Sequence, residues 1–171
     1  MGESYPKPLA CIKRICKMKH LNEKDVYRIT KKLLEMYRDA IWASGEVIGG
    51  VNSILQNEGK EEVRQWYLKL EDTESEDTDE KIERMIFHVC RTDWVGRVIN
   101  CVMIRVKEFH YYGDIYFEIL NKSYFLPERR TDQEVIDEVA LERANYYRRK
   151  KEAVLLAGIL LWEEAKNRKF A

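Results

Sequence analysis

The chain has 171 residues, of which 45% are hydrophobic and 35% are charged. This length corresponds to about one domain, and the composition provides both a core and a solvated surface, so wholesale disorder is excluded. Thirty basic and thirty acidic residues cancel, so only the local distribution of charge can point to a partner. With 8 glycines and 3 prolines, the chain also lacks the turn residues that a β-sandwich needs.

Membrane insertion, secretion and metal binding are not expected from this sequence. The uncharged runs, such as residues 40–45, 47–57 and 153–162, are shorter than the roughly 20 residues that cross a bilayer. Residues 11–19 alternate apolar and charged side chains, which is unlike a signal peptide. The four cysteines are too scattered for a disulfide framework, and the spacing of Cys11, Cys16 and His20 matches no zinc site. We therefore expect a cytoplasmic protein that uses no metal and no other cofactor.

The first part of the chain is interpreted as a basic segment followed by a long helix. Residues 1–20 contain two prolines and several lysines, and the sequence leaves their order open. From residue 22, apolar side chains recur at steps of three and four, which is typical of one helix face; they are Val26, Ile29, Leu33, Met36, Tyr37, Ala40, Ala43, Val47 and Ile54. The adjacent Gly49 and Gly50 weaken a helix and allow a break there.

An acidic run separates this helix from the next. Residues 71–80 carry seven acids and no base, which predicts a solvated loop because like charges repel. The last carboxylates of the run suit the N-terminus of a following helix. That helix is predicted over residues 80 to about 110, with an apolar stripe made of Ile82, Met85, Ile86, Val89, Cys90, Trp94, Val98, Cys101, Val102 and Ile104.

A third helix is predicted between residue 114 and about residue 125. Gly113-Asp114 is typical of a place where one helix ends and the next begins, and Pro127 ends this third helix. Since no alternating run is long enough for a strand, the predicted fold class is all-α. The predicted arrangement is an N-terminal bundle of long helices over residues 21–112, followed by a C-terminal region over residues 113–171.

This C-terminal region is predicted to contain a helix-turn-helix. Thr131 and Glu134 form a capping-box pattern that starts a short helix over residues 132–139. A tight connection through Ala140 and Leu141 follows, and a second helix begins near residue 142 or 143 and continues towards Trp162. A short and a long helix joined by three or four residues form a helix-turn-helix.

The second helix of this unit carries a local cluster of positive charge. Five cations fall within nine residues that contain no acid: Arg143, Arg148, Arg149, Lys150 and Lys151. At 100° per residue, the core-facing side chains are those of Tyr146, Ala153 and Leu156. The side chains predicted to lie on or near the opposite side are those of Arg143, Asn145, Arg148 and Lys151, with Tyr147 beside them.

These residue types suit double-stranded DNA. Arginine pairs with guanine and asparagine with adenine in the major groove, while further cations hold phosphates. Tyr147, Arg149 and Lys150 are expected to assist on the backbone, and Arg129 and Arg130 to contact phosphates at the start of the short helix. The alternative is a solvated basic face, which occurs in many helical proteins.

Residues 116–162 resemble the C-terminal part of helix-turn-helix proteins carried by phages and mobile elements of low-GC Gram-positive bacteria. These are similar to ArpU/RinA-type late transcriptional regulators and to region 4 of sigma factors. The matching positions are Arg143, residues 146–153, Gly158 and Trp162. Two positions depart from the pattern, because Ala140 replaces the turn glycine and Glu142 replaces the serine cap. Alanine lacks the freedom of glycine at positive φ.

Upstream, the resemblance extends to residues 37–42 and to the helix around Trp94, so that it covers about three quarters of the chain. It implies DNA-binding regulation of transcription. The helical body would then serve for dimerisation or for contact with RNA polymerase, and a homodimer is expected if the DNA site is palindromic.

Two other functions remain open, and both are non-enzymatic. One is a small terminase-like subunit that recognises phage DNA for packaging. The other is a helical protein-interaction adaptor, such as an anti-sigma or polymerase-binding protein, whose basic helix meets an acidic surface. An enzyme is not expected, because the sequence has neither a glycine-rich phosphate loop nor a nucleophile elbow.

Overall fold

The computed structural model describes residues 7–45, 79–90 and 93–169, and side chains at 40–45, 93–94 and 168–169 are not considered. This part of the chain is all-α and contains no strand, which confirms the predicted class. Its helices are α1 (Pro8–Met18), α2 (Glu23–Gly45), α3 (Asp79–Cys90), α4 (Asp93–Lys107), α5 (Gly113–Leu120), α6 (Asp132–Val139) and α7 (Arg143–Lys169), and a π-helical turn (Asn121–Phe125) extends α5. None of these helices is both long and apolar enough to span a bilayer.

The C-terminal helix α7 is the centre of the molecule. Every residue from Glu152 to Trp162 is buried, because α1, α2, α4 and α5 all pack against this helix. One continuous core joins α7 to side chains of α1, α2, α3, α4 and α5. The expected boundary between residues 112 and 113 therefore does not separate two hydrophobic cores.

Residues 8–18 of the N-terminal segment form a helix, whereas the sequence analysis left their order open. This helix, α1, begins at Pro8, a residue whose fixed φ suits the first helical position. Ile12 and Cys16, one turn apart, are buried in the main core, and Leu9 and Ile15 pack at its edge. Lys13 and Arg14 lie between these apolar positions, so a count of charge alone does not show the apolar face.

The predicted helix over residues 80–110 is two helices, α3 and α4, and the expected single apolar stripe holds only in part within α4, where Val98 and Val102 are buried as predicted. Within α4 the buried positions are Val95, Val98, Ile99, Val102, Met103 and Val106, which recur at three- and four-residue steps. Cys101 and Ile104, which were expected inside, are exposed. The side of α4 that is buried depends on how α4 itself packs, so the apolar spacing of α3 does not predict it.

Several sequence predictions lie outside the described residues. They include the apolar positions and the glycine break of residues 46–54 and the acidic loop up to residue 78. Asp79 and Glu80, the end of the acidic run, lie in the first turn of α3, where the helix dipole favours carboxylates. Among the four tryptophans, only Trp162 has its side chain within the described residues, and this side chain is buried in the main core.

The contact between α2 and α7 depends on Gly158. A Cβ atom at this position would lie 2.2 Å from Thr30 Oγ1 and 2.7 Å from Val26 Cγ1. Thr30 is fully buried, and its hydroxyl has no hydrogen-bond partner among the described residues. The two helices therefore approach closely only because residue 158 has no side chain.

We expect Gly158→Ala to lower the free energy of unfolding by about 1–3 kcal/mol, because the added methyl group overpacks this crossing. Thr30→Ala removes the nearest atom, and on its own it should cost less because the hydroxyl is unsatisfied. The double variant should recover part of the loss, as measured by urea unfolding in a double-mutant cycle. Strict additivity of the two effects would contradict a direct contact at this crossing.

Candidate nucleic-acid interface

A second, small hydrophobic core holds α5, α6 and the start of α7 together. It consists of Ile119, Val135, Ile136 and Tyr146. Ile115, Val139 and Leu141 pack around these side chains. The three elements therefore form a local unit that sets the orientation of the first turns of α7.

Both ends of α6 lie where the sequence predicts them. Thr131 Oγ1 accepts a hydrogen bond from the backbone N–H of Glu134 at 3.2 Å, which is the N-cap bond of the capping box. At the other end Ala140 adopts a left-handed conformation with φ of 56°. Three residues, 140–142, connect α6 to α7, so the short helix, the turn and the start of the long helix are confirmed.

The first turns of α7 present a basic, carboxylate-free face. Its exposed residues are Arg143, Ala144, Tyr147, Arg148 and Lys151. The Arg143 guanidinium lies 5.6 Å from the centre of the Tyr147 ring, which orders two of these side chains by a cation–π contact. Within the described part of the chain, no ion pair involves Arg148 or Lys151. We call these five residues the basic face.

Arg149 does not belong to the basic face, so its expected role on the DNA backbone is not supported by its position. Its side chain is 13% exposed and pairs at 2.6 Å with Glu152, which is 1% exposed. Tyr116 Oη donates a second hydrogen bond to Glu152 at 2.5 Å, and the guanidinium lies 4.1 Å from the Tyr112 ring centre. Burial and the bond to Glu152 raise the pKa of Tyr116. The arginine neutralises a buried carboxylate.

Lys150 is also directed inward. Its Nζ lies 2.7 Å from Asp132 Oδ1, which accepts a further hydrogen bond from Tyr146 Oη at 2.7 Å. Burial by itself would raise the pKa of Asp132, but these two hydrogen bonds and the lysine charge lower it overall. The lysine thus ties α7 to the first residue of α6.

Asn145 was predicted on or near the outer face, and the structure places it beside that face. The residue is half-buried on the flank of the helix. Residue 145 follows the exposed residue 144 by 100° and precedes the fully buried residue 146. It therefore lies at the border of the basic face.

Arg129 and Arg130 precede α6 as expected, and both are ion-paired. Arg129 binds Asp39 of α2 at 2.8 Å, with both side chains about two-thirds exposed. Arg130 binds Glu138 at 2.8 Å and is more enclosed, and Lys122 reaches the same carboxylate at 3.1 Å. Exposed pairs of this kind are worth at most about 1 kcal/mol, so Arg129 in particular can exchange its partner.

Helix α2 lies beside this unit, which the sequence did not indicate. Arg38 donates hydrogen bonds to the carbonyl oxygens of Leu126 and Ser123, at 2.8 and 3.4 Å. Further along, Lys151 Nζ lies 5.8 Å from the Tyr27 ring centre. These contacts join positions far apart in the chain, so local periodicity carries no signal for them.

The opposite end of α7 carries an ion-pair cluster at a surface pocket of about 490 Å³. Glu163 is bound there by Lys19 and by Arg105 at 2.8 Å. The cluster connects α7 to α4 and to the end of α1. Among the described residues, no group of three or more His, Cys, Asp and Glu side chains is placed to hold a metal ion.

The left-handed Ala140 predicts a stabilising substitution. A non-glycine residue in this conformation is strained by about 1–2 kcal/mol, and glycine is the usual residue at such a helix end. We expect Ala140→Gly to raise the free energy of unfolding by about 1 kcal/mol, measured by urea denaturation. Ala144→Gly, the same change at an exposed helical position, should lower it instead. A loss of stability in both variants would contradict the assigned turn conformation.

The neighbouring arginines 148 and 149 should differ sharply in their effect on stability. Arg149→Met leaves Glu152 buried with only Tyr116 as a partner, so we expect a loss of about 3 kcal/mol in unfolding free energy. Arg148→Met changes an exposed side chain and should stay within about 0.5 kcal/mol of the unmodified protein. Thermal and urea unfolding of the two variants provide the measurement. Equal effects would show that Arg149 is not part of the core.

Comparisons of this chain with protein-family models, with curated proteins and with solved structures found no significant match. The likeness of residues 116–162 to phage and sigma-type helix-turn-helix proteins therefore stays a prediction from the motif. The argument for a function accordingly comes from the geometry of α5, α6 and α7.

Proposed function

We propose that the chain is a double-stranded-DNA-binding transcription regulator that inserts the start of α7 into the major groove. The observation that carries this proposal is the basic face, whose three cations surround an exposed tyrosine without any acid among residues 143–151. The face extends from Arg143 to Lys151, about 12 Å along the helix axis. An α-helix with its side chains is about 10–12 Å in diameter, which suits the major groove, about 12 Å wide.

The side chains on this face divide naturally between bases and phosphates. Arg148, which has no ion-pair partner among the described residues, is assigned to a guanine edge, which arginine reads through two hydrogen bonds. Arg143 and Lys151, at the two ends of the face along the helix axis, are assigned to phosphates. Arg129 adds a phosphate contact at the start of α6, where free backbone N–H groups favour anions.

The anchoring of α7 supports this use of its first turns. The helix continues without a break into the core, and the small core around Tyr146 packs α6 against its start. A reading helix must be held rigidly, since misplacement of its side chains loses base contacts. In this arrangement α6 and α7 serve as the two helices of a helix-turn-helix.

Transcription regulation, as distinct from DNA binding alone, rests on the resemblance of residues 116–162 to phage and mobile-element regulators. In this proposal the helical body contacts RNA polymerase or a second copy of the chain, and the protein acts in the bacterial cytoplasm. A DNA-packaging subunit would use the same basic face. Because packaging subunits of this kind assemble into rings, light scattering separates the two roles by mass.

Fluorescence anisotropy of a labelled random-sequence duplex tests the proposal. We expect binding that weakens steeply between about 50 and about 200 mM salt, because each neutralised phosphate releases counterions. Arg148→Ala with Lys151→Ala should reduce the affinity at least about tenfold and leave the thermal unfolding midpoint nearly unchanged. Lys17→Ala with Lys166→Ala is the matched control, because it removes two exposed lysines near the other end of α7 and should bind as the unmodified protein does.

Two results would contradict the proposal. One is the absence of DNA binding by the unmodified protein even at low salt, which would favour a protein-docking role for the basic face. The other is an equal loss of affinity in the control variant, which would reduce the effect to overall charge. A sequence-selection experiment on bound duplexes then identifies the specific site.

A further inference from the structure

We infer that α2 carries a second row of DNA-phosphate contacts, formed by Lys24 and Lys31, along the edge of the basic face. This inference rests on the proposed function, and it assigns part of the binding energy to a helix outside the helix-turn-helix. Both lysines are exposed, and they are seven residues apart. Seven residues are two helical turns, so the two side chains lie on the same face of α2.

The position of this row relative to α7 is set by tertiary contacts. Tyr27 lies between the two lysines in sequence, and Lys151 of the basic face is 5.8 Å from its ring centre. The charge of Lys31 contributes to the lowered pKa of Asp132, the first residue of α6. The row therefore runs from the side of Lys151 to the start of α6, where a phosphate contact is already proposed.

The charges around the row leave it positive. Two other cations of α2 are turned towards α3, since Arg28 pairs with Asp25 and Asp79 and Lys32 pairs with Glu83. Glu23 is engaged by Lys13 at 3.4 Å. In the described part of the chain, no ion pair joins Lys24 or Lys31 to a carboxylate. Glu35, one turn beyond Lys31 and exposed, marks the end of the positive row.

The spacing of the two lysines matches a phosphate backbone. Their Cα atoms are about 10 Å apart along the helix axis, which is the rise of about three phosphates of one DNA strand. Lysine on a flexible stem acts as a point charge that suits phosphates and carries no base specificity. Lys24 and Lys31 should therefore raise affinity for all sequences alike and leave the choice of sequence to Arg148.

The salt dependence of binding to a random-sequence duplex tests this inference. We expect Lys24→Gln with Lys31→Gln to lower the slope of log affinity against log salt by about 2, because each phosphate contact contributes about 0.9. The loss of affinity should be the same for a selected and a random site. Lys17→Gln with Lys166→Gln removes the same charge from α1 and from the end of α7, outside the proposed row, and should leave the slope unchanged. Circular dichroism establishes that all variants are folded.

The outcomes distinguish this inference from the proposed function. An unchanged slope in the α2 variant, together with a weakened Arg148→Ala, Lys151→Ala variant, would overturn the α2 contacts and leave the basic face as the DNA site. Equal slope changes in the α2 variant and its control would also overturn them, since the effect would then be one of net charge. If the unmodified protein does not bind DNA, both ideas fail together.

Discussion

The burial of α7 on every side between Glu152 and Trp162 is the constraint on which the rest of the structure depends. A helix that is apolar around its whole circumference has to be surrounded, and α1, α2, α4 and α5 do this. The need for cover explains why the basic N-terminal segment is folded as α1, with Ile12 and Cys16 in the core. It also explains Gly158, because a helix with neighbours on all sides tolerates a close crossing only where a side chain is missing.

Towards its N-terminus, α7 changes from buried to exposed within a few residues. Ion pairs hold the charged side chains at this boundary. Glu152 is charged and enclosed, which is costly unless it is paired, and Arg149 and Tyr116 provide its partners. Lys150 is used in a similar way by Asp132. Two of the five clustered cations therefore stabilise the protein, and the remaining three, Arg143, Arg148 and Lys151, are available to a partner.

Helix α2 connects the region that holds α7 to the region that would meet DNA. Thr30 contacts α7 at Gly158, while Arg38 binds carbonyl oxygens next to the π-helical turn and Tyr37 packs edge-on against Phe125 at 5.3 Å. Tyr27 borders the basic face, where Lys151 Nζ lies 5.8 Å from its ring centre. One helix thus stabilises the core and shapes the surface beside α7, so these tasks do not divide between an N-terminal body and a C-terminal unit.

The sequence by itself determined the elements whose signals are local. The all-α class follows from apolar spacing, and the bounds of α6 and the start of α7 follow from the threonine cap and the short connection, because caps and turns act over three or four residues. Tertiary structure decided which cations are buried, since neighbouring helices enclose Arg149 together with Glu152 and Lys150 pairs with Asp132 on another helix. It also decided the phase of α4, where Ile104 is exposed, and the place of Tyr27 beside Lys151. Contacts between distant segments depend on how complete helices pack, and no local pattern of residues encodes that.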